Sequence, residues 1–111
     1  MNVILSVRNS DVDDELRELV QRRFDHLERY EPRASKAEVT VTVGKKIFEA
    51  EALISVDRAD RVHARAEADD ARTAVDRVVE KLRTQLRKRR ARRRDHQAPS
   101  RDNLEPPGVE S

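Results

Sequence analysis

The stretch DDARTAVDRVVEKLRTQLRKRRARRR, residues 69–94, has two halves of different composition. In the first half, apolar side chains recur every three or four residues, which places them in one stripe along a helix. The stripe comprises Ala71, Ala74, Val75, Val78, Val79, Leu82 and Leu86. After Leu86, seven Lys or Arg residues and Ala91 complete the stretch. We therefore predict one helix that packs by its first half, projects a basic second half, and is capped by one of its two leading aspartates.

Charge is distributed unevenly along the 111 residues, although the formal net charge is only +2. Residues 1–80 carry 14 basic and 18 acidic side chains, whereas residues 81–94 carry nine basic and no acidic ones. Residues 95–111 carry one basic and four acidic side chains. A local block of +9 matters more for partner choice than the total, and it predicts a polyanionic partner, either nucleic acid or an anionic membrane surface.

Several classes of function are excluded or disfavoured by composition. The chain has no cysteine, so it cannot form a disulfide, a thiolate metal site or a cysteine nucleophile. His26, His63 and His96 have no second metal ligand at helical or hairpin spacing, and no phosphate loop or nucleophile motif is present. We expect a protein that is not an enzyme and uses no metal, cofactor or small-molecule substrate.

The N-terminal sequence MNVILSVRNSD lacks the basic segment and the long apolar run of a signal peptide. No apolar run in the chain approaches the ~20 residues that a membrane-spanning helix needs. We expect a cytoplasmic protein.

The rest of the chain predicts four strands and one more helix. Period-two alternation predicts strands at 2–8, 38–43, 48–56 and 62–68. Period-3.6 spacing predicts a helix from Glu15 to Tyr30, with Asp13 as its N-cap and Pro32 after its end. Residues 31–36 are predicted to form a loop. The predicted fold class is therefore α+β, in the order β-α-β-β-β-α.

The faces of these elements predict how they assemble. Each strand has one apolar and one mainly polar face, so we expect a four-stranded sheet covered on one face by both helices. A right-handed crossover through the first helix would make the first two strands parallel, and antiparallel hairpins would follow. We predict one domain at 1–94 and a disordered tail at 95–111, because the tail contains Pro99, Pro106, Pro107 and Gly108 with scattered acids.

The sequence leaves three kinds of partner open: a membrane surface, a nucleic acid or another protein. A helix that lies on a membrane needs an apolar face at its basic end, and none continues after Leu86, so nucleic acid is preferred. The polar face of the sheet offers no aromatic residues for base stacking, which favours contact with the phosphate backbone. A generic double-stranded RNA-binding module remains the alternative, although its α-β-β-β-α core lacks the first strand. A protein-interaction domain that uses the polar sheet face has less support.

Three segments carry a resemblance to a known family: ELRELVQRRFDHLERY at 15–30, VHARAEADD at 62–70, and AVDRVVEKLRTQLRK at 74–88. The pattern within the last segment comprises Asp76, Lys81, Leu82, Gln85, Leu86 and Lys88. Together the segments resemble the ribosome hibernation-promoting factor / ribosome-associated inhibitor A family, over about residues 1–90. The resemblance implies the same β-α-β-β-β-α fold. The chain resembles the short form of the family, which has no C-terminal dimerisation domain.

The resemblance also implies a partner and a site. It implies a stress or stationary-phase translation inhibitor that binds the small ribosomal subunit in the channel for mRNA and tRNA, where basic helix residues meet ribosomal RNA. We expect a monomer when it is off the ribosome. Arg23 matches a basic family position in the first helix, and Lys81 and Lys88 match basic positions in the second. Charge and geometry add Arg22, Arg87 and Arg92 to the predicted rRNA-binding residues.

Overall fold

A computed structural model of the chain describes residues 1–96, with side chains up to residue 92. The elements run β1 (Asn2–Arg8), α1 (Asp14–Leu27), β2 (Ala34–Val43), β3 (Phe48–Val56), β4 (Val62–Ala68) and α2 (Ala71–His96). The sheet order is β1-β2-β3-β4, with β1 parallel to β2 and the other neighbours antiparallel. This confirms the predicted α+β class and element order. The paired strand β1 also separates the fold from the α-β-β-β-α core of the double-stranded RNA-binding alternative.

Both helices pack on the same face of the sheet, as the alternating strands predict. The apolar stripe of α2 is buried at Ala74, Val75, Val78, Val79, Leu82 and Leu86. Beneath it lie the buried alanines of β3 and β4, namely Ala50, Ala52, Ala64, Ala66 and Ala68. Small side chains on the strands let the helix approach closely and fill the space between the layers. Helix α1 lies beside α2 and over β1, and Phe24 in its last turn is fully buried.

Two predicted boundaries are wrong by three residues or more, each for a local reason. Helix α1 ends at Leu27 instead of Tyr30, because Glu28 N–H donates to the carbonyl of Asp25, three residues back, at 3.3 Å. Bonds of this spacing tighten the last turn, and Tyr30 still packs against the core. Strand β2 begins at Ala34 instead of Glu38, because a register shift in its first residues interrupts the alternation that marks a strand.

The helix starts follow the predicted capping chemistry. The carboxylate of Asp13 accepts the backbone N–H of Leu16 at 2.7 Å, and that of Asp70 accepts the N–H of Thr73 at 2.7 Å. The bond from the Thr73 backbone holds the pKa of Asp70 below its ordinary value, since it stabilises the charged form. Asp70 is thus the N-cap of α2, whereas the sequence alone did not decide between Asp69 and Asp70.

The far end of α2 extends past the sheet. Helix α2 follows β4 and runs antiparallel to it, in the same direction as α1. It therefore returns to the end of the sheet where β4 begins, and passes the β3–β4 loop at 57–61. Its 26 residues span ~39 Å, while the seven residues of β4 span ~23 Å. Asp95 and His96 belong to this helix, although the predicted tail begins at 95. The remainder of that tail, 97–111, lies outside the described residues.

Candidate nucleic-acid interface

One row of α2 side chains lies along the outer edge of β4. Arg77, Lys81 and Gln85 donate to the backbone carbonyls of Glu67, Arg65 and His63, each at 2.7 Å. Arg89 continues the row to the carbonyl of Asp60 at 2.8 Å. Four helix residues rise ~6.0 Å and two strand residues advance ~6.6 Å, so the two spacings match. The row satisfies the open carbonyls of an edge strand and fixes α2 against the sheet.

Beyond this row, α2 forms one side of a basic cleft of about 850 Å³. The cleft is lined by Arg33, Arg58, Ala59, Asp60, Arg61, Val62, Gln85, Lys88, Arg89 and Arg92. Within the described part of the chain, this lining has six cationic side chains and a single acidic one. The cations come from the α2 overhang, from the β3–β4 loop and from the segment before β2. Elements far apart in sequence therefore meet at one end of the molecule to form a concave, positively charged surface.

Of the six predicted rRNA-binding residues, the structure brings two into this cleft. Lys88 and Arg92 line it, and Arg87 is exposed on the same half of α2. Among residues 1–92, these three side chains have no carboxylate within the 4.0 Å of an ion pair. They are cations on a projecting helix with no charge partner among residues 1–92, an arrangement that suits a phosphate-binding surface.

Arg23 differs from its predicted state. Arg23 projects from the apolar face of the first helix in the sequence, which predicts a packed stem with its guanidinium in water. In the structure, Arg23 Nε instead donates to Asp76 Oδ1 of α2 at 2.9 Å. Arg23 lies between the helices, and both partners are partly exposed, 36% for Arg23 and 43% for Asp76. The pair joins α1 to α2, and it reduces the net positive charge that Arg23 presents to a ligand.

Lys81 also has a different environment from the one predicted. On a helical wheel, Arg77, Lys81, Lys88 and Arg92 fall in one row opposite the apolar stripe, which predicts that they face away from the sheet. In the structure Arg77 and Lys81 flank the packed face and reach the β4 edge, since their side chains are long enough to bridge that gap. Lys81 remains exposed, so its ammonium carries charge at the edge, away from the cleft lining.

Arg22 lies in a different part of the molecule. It lines a small groove of about 320 Å³ between the N-terminal halves of the two helices. Asp13, Glu15 and Glu18 line the same groove together with Arg72, so acidic side chains outnumber basic ones around Arg22. The structure does not bring Arg22 together with the cleft residues.

The uncovered face of the sheet carries charges that are mostly paired with each other. His63 Nε2 lies 2.7 Å from a carboxylate oxygen of Glu51, and Arg65 pairs with Glu49. The hydrogen bond with His63 is the main reason why the pKa of Glu51 is below its ordinary value. Cross-strand pairs of this kind stabilise the sheet and leave little net charge for a polyanion.

Sequence reasoning missed Arg33, Arg58 and Arg61. The signal was present in the segment DRADR at 57–61, which has two arginines in a strand connection. The topology supplies the rest, because the β3–β4 loop and the start of β2 lie at the end of the sheet that α2 passes. Combining the loop composition with the predicted strand order would have located the second side of the cleft.

Within residues 1–96, no helix is long and apolar enough to cross a membrane.

Comparisons with known proteins identify the family and agree with the fold. The sequence matches, over residues 3–94, the family described as Sigma 54 modulation protein / S30EA ribosomal protein. It is 30% identical over 96 residues to a ribosome hibernation promoting factor of Escherichia coli, covering 86% of this chain and 100% of that protein. It is 35% identical over 97 residues to the ribosome hibernation promoting factor of Azotobacter vinelandii, covering 87% and 90%.

Solved structures show the same architecture. The Protein Y N-terminal domain of Thermus thermophilus superposes with a TM-score of 0.72 at 29% identity, covering 79% of this chain and 98% of that one. A ribosomal subunit interface protein of Coxiella burnetii superposes with a TM-score of 0.76 at 25% identity, covering 82% and 99%. The resemblance drawn from the three sequence segments is confirmed, and the chain belongs to the Sigma 54 modulation protein / S30EA ribosomal protein family.

Proposed function

We propose that this protein is a ribosome hibernation factor that binds the small ribosomal subunit and silences it without catalysis. The observation that carries the proposal is the projecting basic half of α2, where Arg87, Lys88 and Arg92 have no carboxylate partner among the described side chains. The family membership and the printed names of the relatives support the ribosome as the partner. Ribosomal RNA supplies the dense phosphate charge that such a surface binds.

The proposed mechanism is steric occlusion. The N-terminal part of α2 is held to the sheet by the buried stripe and by the side-chain row on β4, so the helix and the sheet form one packed body. We propose that the basic end anchors this body on ribosomal RNA in the channel that mRNA and tRNA use. A folded domain seated there excludes both ligands by volume alone. The mechanism needs no cofactor, no metal and no small-molecule substrate.

The six predicted residues have unequal parts in this proposal. Arg87, Lys88 and Arg92 contact phosphates directly. Lys81 contributes charge from the β4 edge, and Arg23 contributes the guanidinium donors that its bond to Asp76 leaves available. Arg22 contributes least, because its groove contains three carboxylates. Off the ribosome we propose a cytoplasmic monomer.

Co-sedimentation with purified ribosomal subunits tests the partner. We expect the protein to pellet with small subunits and to inhibit translation of a reporter mRNA in a purified system. Small subunits preloaded with mRNA and tRNA should bind less protein, since the two compete for one channel. The generic double-stranded RNA-binding alternative predicts equal affinity for an arbitrary RNA duplex and for the small subunit, and that result would overturn the proposal.

A further inference from the structure

We propose that the β3–β4 loop is the second side of an RNA-backbone clamp, with Arg33, Arg58 and Arg61 opposite Lys88, Arg89 and Arg92. The inference rests on the proposed function and deepens it, because it assigns a second contact surface to the same site. A helix that binds phosphates from one side only leaves the RNA strand free to dissociate on its other side. A cleft with cations on both sides holds a strand between them.

The charges of the cleft are available to a ligand. Arg58, Arg61, Lys88, Arg89 and Arg92 have no carboxylate within 4.0 Å among the side chains that the structure describes. Arg33 is the exception, with its Nε at 3.6 Å from the carboxylate of Glu31. Like charges gathered around one concave surface repel each other, and a polyanion between them relieves that repulsion.

The two sides are fixed to each other before any ligand binds. Asp57 N–H donates to the carbonyl of Arg33 at 2.9 Å, which ties the loop to the start of β2. Arg89 donates to the carbonyl of Asp60 at 2.8 Å, which ties the loop to α2. The second bond directs Arg89 at the loop backbone across the cleft. The arrangement is therefore preorganised, and binding requires little ordering of the loop.

The lining chemistry selects the phosphate backbone. The described lining contains no aromatic side chain, so a flat base has no ring to stack on. Arginine donors match the oxygens of a phosphodiester in a planar, two-bond geometry. The cleft is therefore suited to successive phosphates of an RNA strand, without reading its sequence.

A double variant of the loop tests the clamp. Arg58 has a φ of 59°, so Arg58→Asn is chosen because asparagine enters this backbone region more readily than most residues. It is combined with Arg61→Gln. The matched control is Lys45→Gln with Lys46→Gln, which removes the same charge from the exposed β2–β3 turn at the opposite end of the sheet. Affinity for the small subunit is measured across a salt series, and thermal melting establishes that both variants fold.

The clamp predicts a shallower salt dependence for the loop variant alone. Loss of two phosphate contacts reduces the slope of log affinity against log salt by about 1.4 to 1.8. When salt is raised from ~50 to ~200 mM, the factor by which affinity falls should therefore be about ten times smaller for the loop variant than for wild type or the control. Equal slopes for the loop variant and the control would overturn the clamp.

A second probe keeps this test separate from the proposed function. If wild type does not bind small subunits, the proposed function fails. The clamp is then tested with a labelled oligouridylate of about twelve nucleotides, by comparing the salt slopes of the loop variant and the control. Weaker binding and a shallower slope for the loop variant than for the control support the clamp, and equal behaviour overturns it. Displacement of the oligouridylate by an equal concentration of inorganic tripolyphosphate would identify a small-anion site, which also overturns it.

Discussion

The two halves of α2 share one continuous helix and have opposite chemistry. Its first half buries Val75, Val78 and Leu82 almost completely against β3 and β4. Its second half passes the end of the sheet, and beyond the buried Leu86 its positions are mostly exposed. The backbone conformation is the same in both halves, so the difference arises entirely from which side chains the sheet covers.

This difference separates stability from binding along one element. Burial of apolar area holds the first half in place, at roughly 25 cal/mol per Å² of surface removed from water. The second half adds little apolar burial, and its arginines and lysines repel one another at spacings of three and four residues. It is helical because it continues a helix that the core already holds. Changes in the first half should therefore alter folding, and changes in the second should alter binding.

The largest effect is expected from Leu82→Ala. Leu82 is 0% exposed, so truncation leaves a cavity and should lower the free energy of unfolding by about 2–5 kcal/mol. That loss is a large fraction of the total stability of a domain of this size. Urea denaturation followed by circular dichroism measures it. Arg90→Ala, an exposed position in the second half, is the control and should change stability by less than about 0.5 kcal/mol. Equal losses in the two variants would contradict the division of α2.

An intermediate effect is expected at the boundary between the halves. Gln85 donates from its side-chain amide to the carbonyl of His63 at 2.7 Å and is partly buried. Gln85→Ala should cost about 1 kcal/mol, because it leaves an edge carbonyl without its partner. For a domain of this length that corresponds to a fall of about 4–8 °C in Tm. Arg87→Ala, two residues on and exposed, should leave Tm nearly unchanged. A Tm for Gln85→Ala equal to wild type would mean that the row on β4 contributes nothing to stability.

The smallest effect is expected from acid titration of the α2 cap. The pKa of Asp70 is lowered in the folded protein by its bond to the Thr73 backbone, so the charged cap adds stability above the ordinary carboxyl pKa. That stability is lost as pH falls through the lowered value. Tm of wild type should therefore fall more steeply between about pH 5 and pH 2 than Tm of Asp70→Asn, which caps without titrating. Parallel pH profiles would contradict the capping role.

The fold was largely predictable because its signals are local. The stripe that ends at Leu86 and the cap at Asp13 can each be read from a few neighbouring residues, and the structure has both. Where a signal was interrupted, prediction failed: the register shift near Ala34 concealed the start of β2, and the tightened turn after Leu27 shortened α1.

The site was less predictable because it depends on residues distant in sequence. Arg23 and Asp76 are 53 positions apart, and no local pattern indicates that they form a bond. The cleft likewise requires Arg58 and Lys88 to line one surface, which follows from the strand order and from the overhang of α2. Composition identified the basic helix, but only the assembled fold shows which other cations lie opposite it.

The most direct test of the account is a triple charge reversal in the second half of α2. Arg87, Lys88 and Arg92 are each changed to Glu, and the variant is compared with wild type for small-subunit affinity and for Tm. We expect Tm to stay within a few degrees, since exposed charges contribute little to stability. We expect affinity to fall at least about a hundredfold, because three phosphate attractions become repulsions. A folded triple variant that binds the small subunit as tightly as wild type would contradict the account.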